Sequence, residues 1–128
     1  MLNYFLVILG GGIGSGLRFW LSGAMAHRYG ESFPWGTLTV NVTGSLIIGF
    51  LATVTGPDGR WLVSPAVRLF LMAGICGGFT TFSAFSFQTL NLARDGAWLF
   101  AGLNILGSVA LCLISVWLGH LLATTVNR

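Results

Sequence analysis

The sequence contains, at residues 74–86, the stretch GICGGFTTFSAFS, which lies inside the third of four hydrophobic segments. In this stretch two adjacent glycines are followed, one residue later, by two β-branched threonines. Both residue types are poor helix formers. We therefore expect the third helix to be broken near residues 77–81.

The composition places most of the protein surface in lipid rather than water. Of the 128 residues, 55% are apolar and only 7% carry a formal charge, whereas about a quarter of the residues of a soluble domain are charged. The hydrophobic segments cover residues 2–25, 35–55, 67–90 and 97–123. Each exceeds the ~20 residues that cross a hydrocarbon core, and the connectors are too short to separate domains. The sequence predicts an all-α membrane protein with one four-helix transmembrane domain over residues 1–128.

Short local signals mark the ends of the spans. Ser64 and Pro65 suit the N-cap and first helical position of the third span, and Asp95 is suited to cap the last helix. Residues 24–26, Ala-Met-Ala, fit a signal-peptidase site, but the start of the segment lacks Lys and Arg and the segment is longer than an ordinary signal sequence. We therefore expect the first span to be retained.

The six arginines do not decide the orientation of the spans. They are scattered, which excludes the concentrated basic face of a nucleic-acid-binding protein. Four spans put both termini on one side, and the arginines then divide three against three between the two sides, so the positive-inside rule has no bias to act on. Two alternatives stay open: other signals orient the helices, or copies insert both ways and pair head to tail.

Small residues recur at helical spacing in three of the spans. Such pairs let helix backbones approach closely in lipid, and we expect most of them to mark close helix packing. The pairs are Gly10/Gly14, Gly12/Gly16, Gly74/Gly78 and Ser115/Gly119.

Two spans also carry polar stripes. A mid-membrane amide such as that of Asn41 needs partners for two N–H donors and one oxygen. It acts either as interhelical glue or as part of a hydrated path, and the presence of a second stripe favours the path. The stripes comprise Thr37, Asn41 and Ser45 in the second span, and Asn104, Ser108, Cys112 and Ser115 in the fourth.

The charged residues limit the kind of transport. Arg18 lies about eight residues, hence ~12 Å, from the end of the first span; it either extends to the interface or lines a vestibule that attracts anions. The acidic residues Glu31, Asp58 and Asp95 all lie in or beside connectors. Because a proton-coupled cation exporter needs a titratable acid within the membrane, the sequence favours an uncoupled path for a neutral or anionic solute.

The break in the third span offers two kinds of ion site. Irregular backbone at membrane depth is tolerated only where protein covers it or where it lines a cavity. Freed carbonyls bind a small cation, whereas freed N–H groups and the positive end of the next half-helix favour an anion. The third span has phenylalanines three residues apart, at Phe79, Phe82 and Phe85. They form either an aromatic packing face or a surface whose electropositive ring edges contact a dehydrated anion. Fluoride, which is small and accepts strong hydrogen bonds, suits the second interpretation.

Three segments resemble signatures of the Fluc (CrcB) fluoride channels. Gly77–Ser86 resembles the third-span signature, Pro34–Asn41 the second and Gly10–Trp20 the first. The likeness covers essentially the whole chain in length, number of spans and order. It implies an antiparallel, dual-topology homodimer with two pores in the bacterial inner membrane. It also implies passive export of fluoride from the cytoplasm, which limits toxicity, and no enzymatic activity.

The resemblance further implies roles for individual residues. Asn41 is the implied principal polar ligand of fluoride, and Arg18 is expected near a vestibule. The backbone carbonyls of Gly77 and Thr80 are expected to hold a structural sodium ion at the dimer centre. The other residues implied to line the fluoride path are Phe82, Phe85, Thr37, Ser108, Ser83 and Thr81.

The chain departs from the family pattern at three positions. Many relatives carry Tyr where Asn104 falls, and Glu where this chain has Gln88. The position of Cys112 often carries a hydroxyl. These departures bear on the detailed polar track but not on the phenylalanine pair or the break.

Two other functions stay open as alternatives. A small multidrug or guanidinium exporter predicts an acidic residue in the middle of the first span, where the sequence has none. A structural or holin-like subunit without a pore predicts that Asn41→Leu is tolerated. A channel predicts that the same substitution abolishes transport and leaves assembly intact.

Overall fold

The structure is a computed structural model that describes all 128 residues, and every regular element in it is helical. Four helical stretches are long and apolar enough to cross a membrane, the third running from Pro65 to Arg94. An all-α fold with four candidate spans is therefore confirmed. The elements are α1 (Leu2–Tyr29), α2 (Trp35–Val54), α3 (Pro65–Leu69), a π-helical segment (Phe70–Cys76), α4 (Gly77–Phe79), α5 (Phe82–Arg94) and α6 (Trp98–Asn127).

The first and last helices extend beyond the predicted spans. α1 continues to Tyr29 rather than residue 25, and α6 continues to Asn127 rather than residue 123. A 30-residue helix such as α6 is ~45 Å long, which exceeds the ~30 Å of the hydrocarbon core. Hydropathy marks only the part in lipid, so the helix ends in the interface lie outside the predicted bounds.

One of the two predicted caps is present and the other is wrong. The Ser64 side chain accepts a hydrogen bond from the Val67 N–H at 3.3 Å, with Pro65 at the first helical position. Asp95 instead lies at the C-terminal end of α5. Gly96, at φ 76°, reverses the chain there, and its N–H bonds the Ala93 carbonyl while the next N–H bonds Leu92. This left-handed glycine motif ends α5, so α6 begins only after residue 97 and has no side-chain cap.

The third span changes conformation several times along its length. It begins as an α-helix, widens into seven π-helical residues and closes again into α4. Thr80 and Thr81 are then extended, with φ/ψ of −81°/156° and −153°/116°. The helix resumes at Phe82. Two residues of extended backbone therefore separate α4 from α5.

Glycines on α1 allow the third span to pack backbone against backbone. A Cβ added at Gly10 would lie 2.8 Å from the Phe70 carbonyl oxygen, and one added at Gly14 would collide with the Ile75 carbonyl. On the facing side, a Cβ at Gly78 would collide with the backbone of Gly11. Close packing is thus present at these predicted positions.

The remaining small-residue pairs differ from one another. On α6, a Cβ at Gly119 would collide with the Leu46 carbonyl of α2, and the Ser115 hydroxyl donates to the Val42 carbonyl at 2.8 Å. Gly12 and Gly16, by contrast, have nothing within 4 Å of an added Cβ. The expectation of close packing is wrong for this pair within the chain, because both glycines lie on a face of α1 that no other element covers.

Few side chains are buried by the chain alone. Only 18 of the 128 residues are buried, and large apolar side chains such as Trp20, Phe82 and Leu106 are each more than two-thirds exposed. In water this surface would be strongly unfavourable. The fold therefore needs lipid or other protein around it.

Candidate functional site

The extended residue Thr81 is held by the side chain of Asn41 on α2. Asn41 Oδ1 accepts the Thr81 N–H at 2.8 Å, and Asn41 Nδ2 donates to the Thr81 carbonyl at 2.9 Å. One amide thus bonds both backbone polar groups of a single residue, as a neighbouring β-strand would. Because Thr81 is buried, with 9% of its surface exposed, this pairing removes what would otherwise be two unsatisfied groups in the membrane.

Two carbonyls at the break lack their usual helical partners. In a continuous α-helix the Gly77 carbonyl would accept from the N–H of residue 81, and the Thr80 carbonyl from that of residue 84. Here the Thr81 N–H donates to Asn41, and the Ala84 N–H donates to Thr81 Oγ1 at 3.2 Å. These are the two carbonyls that the family resemblance implies as ligands of a cation. Oxygen atoms of unwound backbone suit a sodium ion, so the residues present fit such an ion.

Neighbouring carbonyls at the break are, in contrast, occupied. The Cys76 carbonyl accepts from both the N–H and the hydroxyl of Thr80, each at 3.0 Å. The Gly78 carbonyl accepts from the Ser15 hydroxyl of α1 at 3.3 Å. The loss of a helical donor is therefore specific to the Gly77 and Thr80 carbonyls and does not extend to every carbonyl at the break.

A cavity of about 390 Å³ lies beside the break, between α2, α5 and α6. The rings of Phe82 and Phe85 adjoin it, with centroids 5.2 Å apart and planes tilted by 46°. Phe85 is buried, whereas Phe82 is 76% exposed, so the cavity is open on the Phe82 side. Its lining combines aromatic, hydroxyl, amide and thiol groups: Asn41, Gly44, Ser45, Ile48, Thr80, Thr81, Phe82, Phe85, Ser108, Val109, Cys112 and Leu113.

The cavity brings together five of the seven residues predicted for an ion path. These five are Asn41, Thr81, Phe82, Phe85 and Ser108. Ser45, which the sequence places on the polar stripe but not among the path residues, also lines it. The Ser45 hydroxyl has no hydrogen-bond partner within the chain, whereas the hydroxyls of Thr53 and Ser115 donate to nearby carbonyls.

The model of the family described as CrcB-like protein, Camphor Resistance (CrcB), matches residues 5–120. The chain belongs to this family. The chain is also similar along nearly its whole length to several known proteins.

Three of these relatives carry the name fluoride-specific ion channel FluC. The one from Paramagnetospirillum magneticum is 60% identical over 128 residues, which is all of both chains. The one from Opitutus terrae is 60% identical over 97% of this chain and 94% of its own. The one from Rhodospirillum rubrum is 54% identical over 99% of this chain and 98% of its own.

Besides Gly77, three predicted residues lie outside the cavity. Thr37 is one turn before Asn41 and lines a second cavity of about 590 Å³. Ser83 lies just past the break, and its hydroxyl is 3.2 Å from Thr81 Oγ1. Arg18 lies on α1, where its Nη2 is 3.5 Å from Ser15 Oγ. Arg18 is thus two hydrogen bonds away from the Gly78 carbonyl at the break.

Three hydrogen bonds in series link α6 to α5. They include Thr89, which was not predicted from the sequence. Ser108 donates to Asn104 Oδ1 at 3.3 Å, and Asn104 Nδ2 donates to Thr89 Oγ1 at 2.9 Å. Thr89 in turn donates to the Phe85 carbonyl at 2.8 Å. Thr89 lies one helical turn after Phe85, which is the only sequence signal that points to it.

Gln88 differs from these satisfied groups. Its Oε1 atom is buried and has no hydrogen-bond partner, and the residue lines the second cavity together with Thr37. An amide oxygen without a donor is unfavourable in an apolar setting. The second cavity therefore contains an acceptor that is free to bind water or another donor.

Proposed function

We propose that this protein is a fluoride-selective channel that lets fluoride leave the bacterial cytoplasm passively and thereby limits its toxicity. The observation that carries the proposal is the cavity beside the break, where two phenylalanine rings meet hydroxyl and amide groups with no carboxylate among them. The full-length relatives at 60% identity are named fluoride-specific ion channels. The four spans make the chain a multi-pass protein of the inner membrane.

The cavity provides the groups that a dehydrated fluoride ion needs. Fluoride accepts strong hydrogen bonds, and the edge of an aromatic ring is electropositive. Asn41 has two N–H bonds, and only one is taken by the Thr81 carbonyl. The Ser45 hydroxyl is not engaged, and Ser108 donates only to a neighbouring side chain at 3.3 Å. Donors are therefore available without breaking the helices.

We further infer that the working unit is an antiparallel homodimer with two pores. The even division of arginines between the two ends allows both orientations in the membrane. Phe82, which lines the cavity, is 76% exposed, so one side of the cavity has no wall within a single chain. A second copy packed on this face would supply the missing wall.

A structural sodium ion completes the proposal. The Gly77 and Thr80 carbonyls, whose helical donors are diverted, would be its ligands from each subunit. The ion would supply a fixed positive charge that holds the two breaks together. Two carbonyls are too few to replace the hydration shell of a cation, and the same pair from a second copy would double the number of oxygen ligands.

Efflux from liposomes tests the channel directly. Pure protein is reconstituted into vesicles loaded with fluoride or chloride, and the release of each anion is followed with an ion-selective electrode. We expect rapid fluoride release without chloride release and without any imposed proton gradient. Equal fluxes of the two halides, or a requirement for a proton gradient, would overturn the proposal.

A further inference from the structure

We propose that Asn41 also builds the cation site, acting as a positioning residue that keeps the Gly77 carbonyl available. This inference rests on the sodium site of the proposed function and assigns it a residue that does not itself bind the ion. Asn41 lies on α2, whereas both proposed ligands lie on the third span. The link between them is the backbone of Thr81.

The argument begins with the competition for the Thr81 N–H. This N–H has two possible partners: the Gly77 carbonyl, which it would meet in an uninterrupted helix, and Asn41 Oδ1, which it meets here at 2.8 Å. A hydrogen bond from Thr81 to Asn41 Oδ1 excludes the helical bond to the Gly77 carbonyl. While Asn41 holds the N–H, the Gly77 oxygen keeps its lone pairs for a cation.

Removal of the Asn41 amide reverses this competition. The Thr81 N–H is buried, and a buried donor without a partner is strongly unfavourable in a membrane. The nearest remedy within the same span is to return to the helical bond with Gly77. The carbonyl would then be bonded to an N–H instead of the ion, and the apparent sodium affinity would fall.

The same side chain faces the anion cavity. Nδ2 donates to the Thr81 carbonyl with one hydrogen and retains the other, and Asn41 lines the 390 Å³ cavity. One amide thus contacts the proposed fluoride path directly and shapes the cation site through Thr81. Loss of fluoride flux on substitution is expected from the first contact alone, so flux cannot test the second.

Sodium titration without fluoride tests the positioning role. The dimer in detergent is titrated with sodium chloride against N-methylglucamine chloride at constant ionic strength, and the thermal unfolding temperature is recorded. For Asn41→Leu, which keeps the branched shape and the number of heavy atoms but has neither donor nor acceptor, we expect the half-saturating sodium concentration to rise about tenfold or more. Ser45→Ala is the matched control, because Ser45 lines the same cavity on the same helix but makes no bond to the break. It should titrate as the wild type does.

A second variant keeps the test valid if Asn41→Leu does not fold. Asn41→Asp retains an oxygen that accepts the Thr81 N–H, in either protonation state, but lacks the amide donors. We expect it to keep the sodium response and to lose fluoride flux. A sodium response like the wild type's in Asn41→Leu, or a lost response in Asn41→Asp, would overturn the inference.

The wild-type titration separates this inference from the proposed function. If the wild type shows no sodium response, the cation site fails and this inference fails with it. The proposed channel activity would still be tested by comparing the release of fluoride and of chloride from liposomes. A wild type that responds to sodium, with Asn41→Leu responding equally, would overturn only the positioning role of Asn41.

Discussion

Replacement of Gly14 by alanine tests whether contact between α1 and the third span holds the break in place. A Cβ at this position would collide with the Ile75 carbonyl and lie 2.7 Å from the Phe79 nitrogen and 3.1 Å from the Gly78 carbonyl carbon. All three are backbone atoms, which cannot rotate away as a side chain can. The Phe79 nitrogen would have to retreat from 2.7 Å to at least 3.4 Å for ordinary contact. α1 and the break must therefore separate.

The expected cost follows from three terms. Overpacking of this kind destabilises by about 1–3 kcal/mol. Separation of the helices also weakens the Ser15 hydrogen bond to the Gly78 carbonyl, worth about 1 kcal/mol. Alanine offsets about 1 kcal/mol of this, because it is the better helix former. We expect a net loss of about 1–3 kcal/mol, or roughly 5- to 150-fold in the unfolding equilibrium.

Unfolding of the purified protein in mixed detergent micelles, with increasing sodium dodecyl sulfate, measures this loss. Gly12→Ala is the matched control on the same helix, since nothing in the chain lies within 4 Å of its Cβ. We expect Gly14→Ala to unfold at lower detergent fraction than the wild type, and to release fluoride more slowly from liposomes. If Gly14→Ala were as stable as Gly12→Ala, the inferred backbone contact would be wrong.

Three further substitutions distinguish residues that affect fluoride efflux from residues that affect only stability. Asn104→Leu should destabilise the fold by about 1–3 kcal/mol in the same unfolding assay, because it leaves the buried Ser108 hydroxyl without its acceptor. Unchanged stability would contradict a stabilising role for the hydrogen bonds that link Ser108, Asn104 and Thr89. Arg60→Ala removes an exposed hydrogen bond to the Val126 carbonyl. We expect it to lower the free energy of unfolding by less than about 1 kcal/mol and to leave fluoride efflux normal. A large drop in efflux would refute a purely local role for Arg60. Arg18→Gln should lower the fluoride efflux rate more at low ionic strength than at high, and an effect independent of salt would argue against electrostatic attraction by Arg18.

The sequence predicts the spans well because lipid is the solvent. Low charge and long apolar runs are required over the whole membrane-crossing length, so hydropathy alone finds all four. The Ser64 cap was also predictable, since it depends on three neighbouring residues. The Asp95 cap failed because Gly96 ends α5 with a left-handed turn, and two competing local signals cannot be ranked without the geometry.

Features that depend on distant contacts could not be predicted. The π-helical segment FLMAGIC (residues 70–76) has no local signature, and it lies where glycines of α1 approach the backbone. The sequence indicates that Asn41 needs polar partners, but Thr81 is 40 residues away. Ser45 and Thr89 were missed as contributors for the same reason. Hydroxyls on helices often bond their own backbone, and only the packing shows which ones face a cavity.

The bond between Asn41 and Thr81 has a consequence for the order in which the protein assembles. A third span that enters lipid by itself has no partner for the Thr81 N–H other than Gly77, so it must first exist as an unbroken helix. The extended residues can form only after α2 lies alongside. The step moves the Thr81 N–H to Asn41 Oδ1 and the Ala84 N–H to Thr81 Oγ1, so both N–H groups have a partner before and after it. We therefore expect the third span to enter the membrane as a continuous helix and to break only when α2 lies beside it, so that a chain whose second span is delayed would keep the unbroken form.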